Sequence, residues 1–241
     1  VGCGTEDPGE NDPNGKVKID PTVIDGSKTF DVNGQLFSIP SPVQTAVLIK
    51  ESGATFDETL LNSNAKADGY STMFQKAMNL GVYGADLGYA TIYENSTTAL
   101  DYLGSVKKLA EKVGVENAFN ESLIKRFGEN HTNQDSMLVF ISEAYQSADN
   151  YLKNNDKSQE AGLILAGGWV EALYFSCKVG VNGDEAVQTR IADQKSTLKS
   201  LVDLLHSLNV DDDDYEEFVY SLEDLYKSFE KIKSTYKYVE P

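Results

Sequence analysis

Asp86 and Glu171 are the residues of this 241-residue chain whose surroundings make their chemistry unusual. Asp86 lies in Leu80–Ala90 (LGVYGADLGYA) and Glu171 in Leu163–Phe175 (LILAGGWVEALYF), both apolar runs interspersed with glycine and aromatic residues. A carboxylate taken out of water without a partner is costly, so such a group gains a hydrogen-bonding partner or keeps its proton. On a helix Asp86 shares a face with Val82, Tyr83, Tyr89 and Ala90, and Glu171 with Gly167, Gly168, Tyr174 and Phe175. If both helices are central, the two carboxyls meet. A pair with raised pKa can serve as general acid and base, and Tyr83, Tyr93, Trp169 and Tyr174 can line a site for a sugar or another flat ligand. The competing expectation is structural: each carboxylate accepts hydrogen bonds from a buried tyrosine or a helix end, or pairs with a basic side chain. The structural expectation is preferred, and no catalytic residue is assigned.

The other chemistry-bearing residues give weaker patterns. Asp211–Asp214 has the acidity of a calcium loop. An EF-hand counted from Asp211 needs Gly and Glu where Glu216 and Leu222 stand, so the run reads instead as charge before the first turn of a helix. His131 and His206 lie far apart, and a zinc site would need them to converge with distant carboxylates. Cys177 sits in the apolar run Ala172–Val179, where a thiol is expected to act as a small buried hydrophobe. The chain has no Gly-x-x-x-x-Gly-Lys phosphate loop, no Gly-x-Ser-x-Gly elbow and no His-Glu-x-x-His pair. No cofactor or metal is therefore expected, and the chain is not expected to be an enzyme. The triplets starting at Asn95, Asn120 and Asn130 match glycosylation sequons and serve equally as helix caps. Thirteen tyrosines could furnish a binding surface, with Tyr145, Tyr215 and Tyr236 expected at the core edge with wet hydroxyls.

These residues need elements to hold them, and the patterning is helical. Ala99, Leu103, Val106, Ala110 and Val113 step along one face, as do Leu138, Ile141, Tyr145, Ala148 and Leu152. Leu198, Leu201, Leu205 and Leu208 repeat the seam, and Tyr215, Phe218, Leu222, Leu225, Phe229, Ile232 and Tyr236 extend it over three heptads. A first helix spans Pro42–Ser52, with Pro42 at a position where its missing N–H costs nothing and Gly53 past the end. Stops are expected at Asn95–Thr97, Asn130–Asn133, Asn154–Asp156, Gly180–Gly183 and Asn209–Asp214. The fold class is all-α, an antiparallel multi-helix bundle or a short α-hairpin solenoid. Residues 1–15 read as a polar tether, 16–40 as an extended segment with a small hairpin about Asn33-Gly34, and 41–241 as the helical domain. Small residues at 81, 84, 85, 88, 167 and 168 mark a close approach of another backbone or of a ligand, with helix crossing preferred. The longest apolar run, Ala161–Cys177, is broken by Glu171 and the Gly167-Gly168 pair.

The charge balance narrows the partners. Thirty-eight Asp and Glu against 21 Lys and Arg leave a net charge of −17, a field that repels nucleic-acid phosphates and anionic headgroups.

Pro42–Lys50 (PVQTAVLIK), Asn79–Tyr89 (NLGVYGADLGY) and Leu163–Phe175 together resemble a group of lipid-anchored helical lipoproteins of Bacteroidetes. Val1-Gly2-Cys3-Gly4 likewise resembles the end of a bacterial lipoprotein signal peptide, with Cys3 as the lipidated residue and Gly4–Gly15 as its tether. The resemblance implies an outer-membrane protein of the cell envelope, held by lipid and facing the periplasm or the cell surface. The expected function is a binding or scaffold module for an envelope protein, without catalysis, because a long tether lets the domain search for a partner near the surface. The alternative is a small-molecule or glycan receptor, less readily a hydrolase, between the helices carrying Asp86 and Glu171. Asp135-Ser136-Met137 is similar to the O-glycosylation acceptor pattern of those bacteria, with Ser136 as the acceptor.

Overall fold

The computed structural model describes residues 28–32, 35–39, 42–116, 125, 157–180 and 185–233. Among them the chain forms strands β1 (Lys28–Val32) and β2 (Gln35–Ile39), then helices α1 (Pro42–Glu51), α2 (Met73–Ile92), α3 (Ser96–Val113), α4 (Ser158–Gly180), α5 (Glu185–Ser207) and α6 (Asp213–Phe229). The described helical region is all-α. β1 and β2 pair antiparallel, with Val32 opposite Gln35, and β2 lies against α5. Cys3, residues 4–15, His131, Ser136 and the 138–152 seam fall outside the described residues.

Helix ends follow local chemistry. Thr72 caps α2 by accepting from the Gln75 N–H at 3.1 Å, and the Gln75 side chain reaches back to the Ser71 N–H at 3.0 Å, so two otherwise unpaired donors are met. Asn95 caps α3 through the Thr98 N–H. That helix ends at Gly114, whose φ of 76° lets its N–H turn back onto the Ala110 and Glu111 carbonyls as few side-chain-bearing residues can. Asp212 caps α6, and Asp213, Asp214 and Glu216 fill its first turn, where negative charge favours the exposed N–H groups. The acidic run thus serves a helix start.

The seam expected to reach Tyr236 stops short. α6 ends at Phe229, followed by tight bonds from the Lys231 N–H to Ser228 and from the Ile232 N–H to Phe229. Lys195 of α5 donates to the Glu230 and Ile232 carbonyls, at 3.4 Å each, meeting acceptors that a longer helix would have used. Ile232 is left exposed.

α4 is the central helix, in contact with α1, α2 and α5. It is long and apolar enough, by length and composition alone, to cross a membrane. Here Leu163, Ala166, Trp169 and Phe175 are buried against neighbouring helices, and Ile164, Leu165, Val170 and Val179 are half-buried. One exposed stripe remains at Tyr174, Cys177 and Lys178. Cys177 is therefore not the buried hydrophobe expected of it, because positions 174, 177 and 178 share the single face of α4 turned outward. Desolvation still holds its thiol above the ordinary value, the reverse of an activated nucleophile.

α2 and α4 meet at backbone distance. A Cβ on Gly81 would collide with the Ile164 carbonyl and the Gly168 N–H, and one on Gly167 with the Met78 carbonyl. The contacts then run in step along both chains, from Met78 with Gly167 to Tyr89 with Phe175, whose rings are 4.7 Å apart. The two helices are thus parallel. α4 and α5 are antiparallel, as are α5 and α6: Gly180 lies near Val187 while Gly162 meets Leu208, and Tyr215 reaches Leu205 while Glu230 meets Lys195. Helix crossing, not a ligand, accounts for the glycines at 81 and 167.

Candidate functional site

The α2–α4 crossing brings Asp86 and Glu171 together. Asp86 has no solvent exposure and Glu171 is partly exposed; their carboxyls lie within hydrogen-bonding reach. Asp86 Oδ2 accepts from the Asn62 backbone N–H at 3.3 Å. Its Oδ1 is buried with no donor facing it. No basic side chain among the described residues acts on either carboxyl. Of the partners expected for a structural carboxylate, a tyrosine hydroxyl, a helix end or a basic group, none is found on Asp86, whose donor is the Asn62 N–H between two short turns.

Two ionised carboxylates cannot share so dry a space, so one of them keeps a proton. Burial pushes Asp86 well above the usual carboxylate range, and the facing charge of Glu171 pushes it further. Glu171 is raised as well, chiefly by burial, while its hydrogen bond from Asp86 pulls it partly back. The two effects agree on one arrangement. The proton belongs to Asp86, and the ionised Glu171 accepts.

Over this pair runs a strap, residues 52–71, which joins α1 to α2 and contains two single 3-10 turns at Glu58–Leu60 and Asn64–Lys66. Tyrosines hold it down. Tyr83 donates to the Ser63 carbonyl at 2.7 Å, Tyr93 to Ala54 at 2.8 Å and Tyr102 of α3 to Asn62 at 2.6 Å, while Tyr89 accepts from the Asp57 N–H at 3.2 Å. Ser105 adds a bond to Asn64, and Lys112 one to the Ala67 carbonyl. Phe56 lays its ring on Tyr89, 5.3 Å between centroids. Burial, the first cause in each case, pushes the hydroxyls of Tyr83, Tyr93 and Tyr102 far above their ordinary value. They stay protonated and act as donors.

The four aromatic residues expected around the carboxyls are thus dispersed. Tyr83 is wholly buried, and its charge environment includes Asp86. Tyr93 is tied to the far end of the strap. Trp169 faces α5, where its indole N–H donates to the Gln194 side chain at 3.0 Å inside the core. Tyr174 stands on the outward stripe beneath Lys178, whose ammonium is 5.2 Å from the ring centre. Tyr215 lacks the wet hydroxyl expected of it: it is buried and donates to the Leu205 carbonyl at 2.6 Å, near the end of α5, where carbonyls lack partners. His206 pairs with Glu223 across α5 and α6 at 2.7 Å. Among the described residues no group of three or more His, Cys, Asp or Glu gathers as a metal site would require.

No protein-family model, curated protein or solved structure matches this chain.

Sequence reasoning placed Tyr89 on the face of Asp86 but missed Asn62, Tyr102 and the strap itself. One signal was present. Buried tyrosines need a partner for the hydroxyl, and Tyr83, Tyr89 and Tyr93 on one apolar helix imply a length of non-helical backbone crossing it. What the arrangement can do chemically is hold one proton between two helices and a loop. Asp86, sealed under the strap, has no path to a substrate in this state.

Proposed function

We propose that the chain is a lipid-anchored, non-catalytic helical binding or scaffold protein of the bacterial outer membrane, on its periplasmic or surface face. The observation that carries this reading is the use made of the site residues. Tyr83, Tyr93, Tyr102 and Trp169 spend their polar atoms on internal bonds, and Asp86 is sealed, leaving the reactive groups to hold the fold. Cys3 and the polar residues 4–15 supply the anchor and its tether; a flexible tether lets a rigid domain search for a partner near the surface. We take the whole of 41–241 as an antiparallel multi-helix bundle built on α4, which α4's packing against α1, α2 and α5 favours over a solenoid. The net charge of −17 disfavours nucleic acid as the partner.

The test is expression in a lipoprotein-processing bacterium with a labelled fatty acid, followed by membrane fractionation and cross-linking from intact envelopes. Label on the wild type, none on Cys3→Ser, and a defined cross-linked envelope protein lost with Cys3→Ser would support the reading. An unlabelled wild type in the soluble fraction would refute the anchor, and ligand turnover by the purified chain would refute the absence of catalysis.

A second reading is favoured by the meeting of Asp86 and Glu171: a small-molecule or glycan receptor, less readily a hydrolase, with its site between α2 and α4. Under it, Asp86→Asn with Glu171→Gln abolishes ligand binding in a folded protein.

A further inference from the structure

The elements around Asp86 are not equally fixed. α2 and α4 touch through backbone at Gly81 and Gly167 and cannot separate locally without breaking the core. The strap is held otherwise. Of residues 52–71 only Ala67 is fully buried, while Ala54, Phe56, Leu60, Leu61 and Tyr70 pack half-buried against the core, and the rest of the strap's attachment is a row of hydrogen bonds from Tyr83, Tyr93, Tyr102, Ser105 and Lys112. Segments with little buried apolar surface open at low free energy while their surroundings stay folded.

The groups within electrostatic reach of the Asp86 carboxyl come from four elements. From its own helix comes the Tyr83 hydroxyl, from α3 that of Tyr102, from α4 the Glu171 carboxyl and from the strap the Asn62 amide. Glu58 and Asp101 act on Tyr102, and Tyr70 on Tyr83. None of these supplies positive charge. If the shared proton leaves, two buried negative charges face each other, and relief comes from admitting water. The strap is the element that can give.

We propose that the strap is a proton-controlled flap, closed while the Asp86–Glu171 pair holds its one shared proton and lifted when that proton leaves. Lifting frees the hydroxyls of Tyr83, Tyr93 and Tyr102 and opens Asp86 to solvent. The closed form binds one more proton than the open form, so alkalinity favours opening.

Hydrogen exchange of the full chain, read by mass spectrometry on peptides within 54–67 and corrected for the intrinsic rate, tests this at pH 5, 6.5 and 8. Strap protection in the wild type falls by up to about tenfold per pH unit, the limit for one linked proton, while peptides of α4 hold theirs. Asp86→Asn keeps a neutral donor beside Glu171 and abolishes the slope; Glu171→Gln removes the facing charge and makes it shallower. Should Asp86→Asn fail to fold, Glu171→Gln alone decides. A pH-independent wild-type strap, an equal loss of protection in α4, or an unchanged slope in the folded variants would overturn the proposal.

Discussion

Gly81 of α2 lies against the Ile164 carbonyl of α4 with no space for a side chain between them. That contact sets the register in which Asp86 meets Glu171, five residues further along α2 and seven along α4.

Adding one methyl at this crossing must push the helices apart. Gly81→Ala and Gly167→Ala should each cost at least about 1–3 kcal/mol of unfolding free energy by overpacking. Gly104, exposed on α3 with open space where a Cβ would stand, should respond in the opposite sense, gaining about 0.5–1 kcal/mol as Gly104→Ala. Urea denaturation followed by circular dichroism reads both signs; a neutral Gly81→Ala would mean the helices are not in backbone contact.

Trp169 is the sole tryptophan of the chain, buried against α5 with its N–H on Gln194. Trp169→Phe leaves the Gln194 oxygen buried and unpaired and should cost about 1–3 kcal/mol, whereas Trp169→Phe with Gln194→Met should recover much of that loss because both polar partners are gone. In the wild type the native emission should be blue-shifted and should move red on unfolding.

Stability should decline as the solution becomes alkaline, and by an amount traceable to Asp86. Its folded pKa is raised, so the native protein keeps a proton that the unfolded chain releases at the ordinary carboxyl range near pH ~4. That contribution is fully present below the unfolded value and is lost as pH rises through the folded-state titration. The difference in unfolding free energy between wild type and Asp86→Asn should therefore move against the wild type from pH 5 to 8, by no more than about 1.4 kcal/mol per pH unit. A difference that is flat with pH would show that Asp86 titrates normally.

The cap of α6 gives a simpler expectation. Asp212→Ala removes the side-chain acceptor of the Tyr215 N–H and should lower stability by about 0.5–2 kcal/mol, with Asp212→Asn retaining most of it. Equal losses in the two variants would point to the charge of Asp212 and away from its hydrogen bond.

Much of the helical layout was legible because its causes are local. Asn95, Gly114 and Asp212 act on residues within one turn, and the Ala99–Val113 seam is a periodicity. The meeting of Asp86 with Glu171 was open in the sequence and settled only by the crossing of α2 on α4. The strap left only an indirect sign, the buried tyrosines whose hydroxyls needed partners: residues 52–71 themselves have no apolar period, and their order comes largely from side chains on helices that follow them in the chain. Trp169 went astray for a related reason. An aromatic residue beside Gly168 marks a packed face but not which neighbour packs there.

One proton is held between Asp86 and Glu171, and carboxyl 13C NMR of the full chain measures it directly, with Asp86→Asn and Glu171→Gln assigning the two signals. The structure predicts that near pH 7 the Asp86 carboxyl remains protonated and titrates well above the ordinary carboxylate range. If both carboxyls titrate together in the acid range and are ionised at neutrality, the pair holds no proton and the account is wrong.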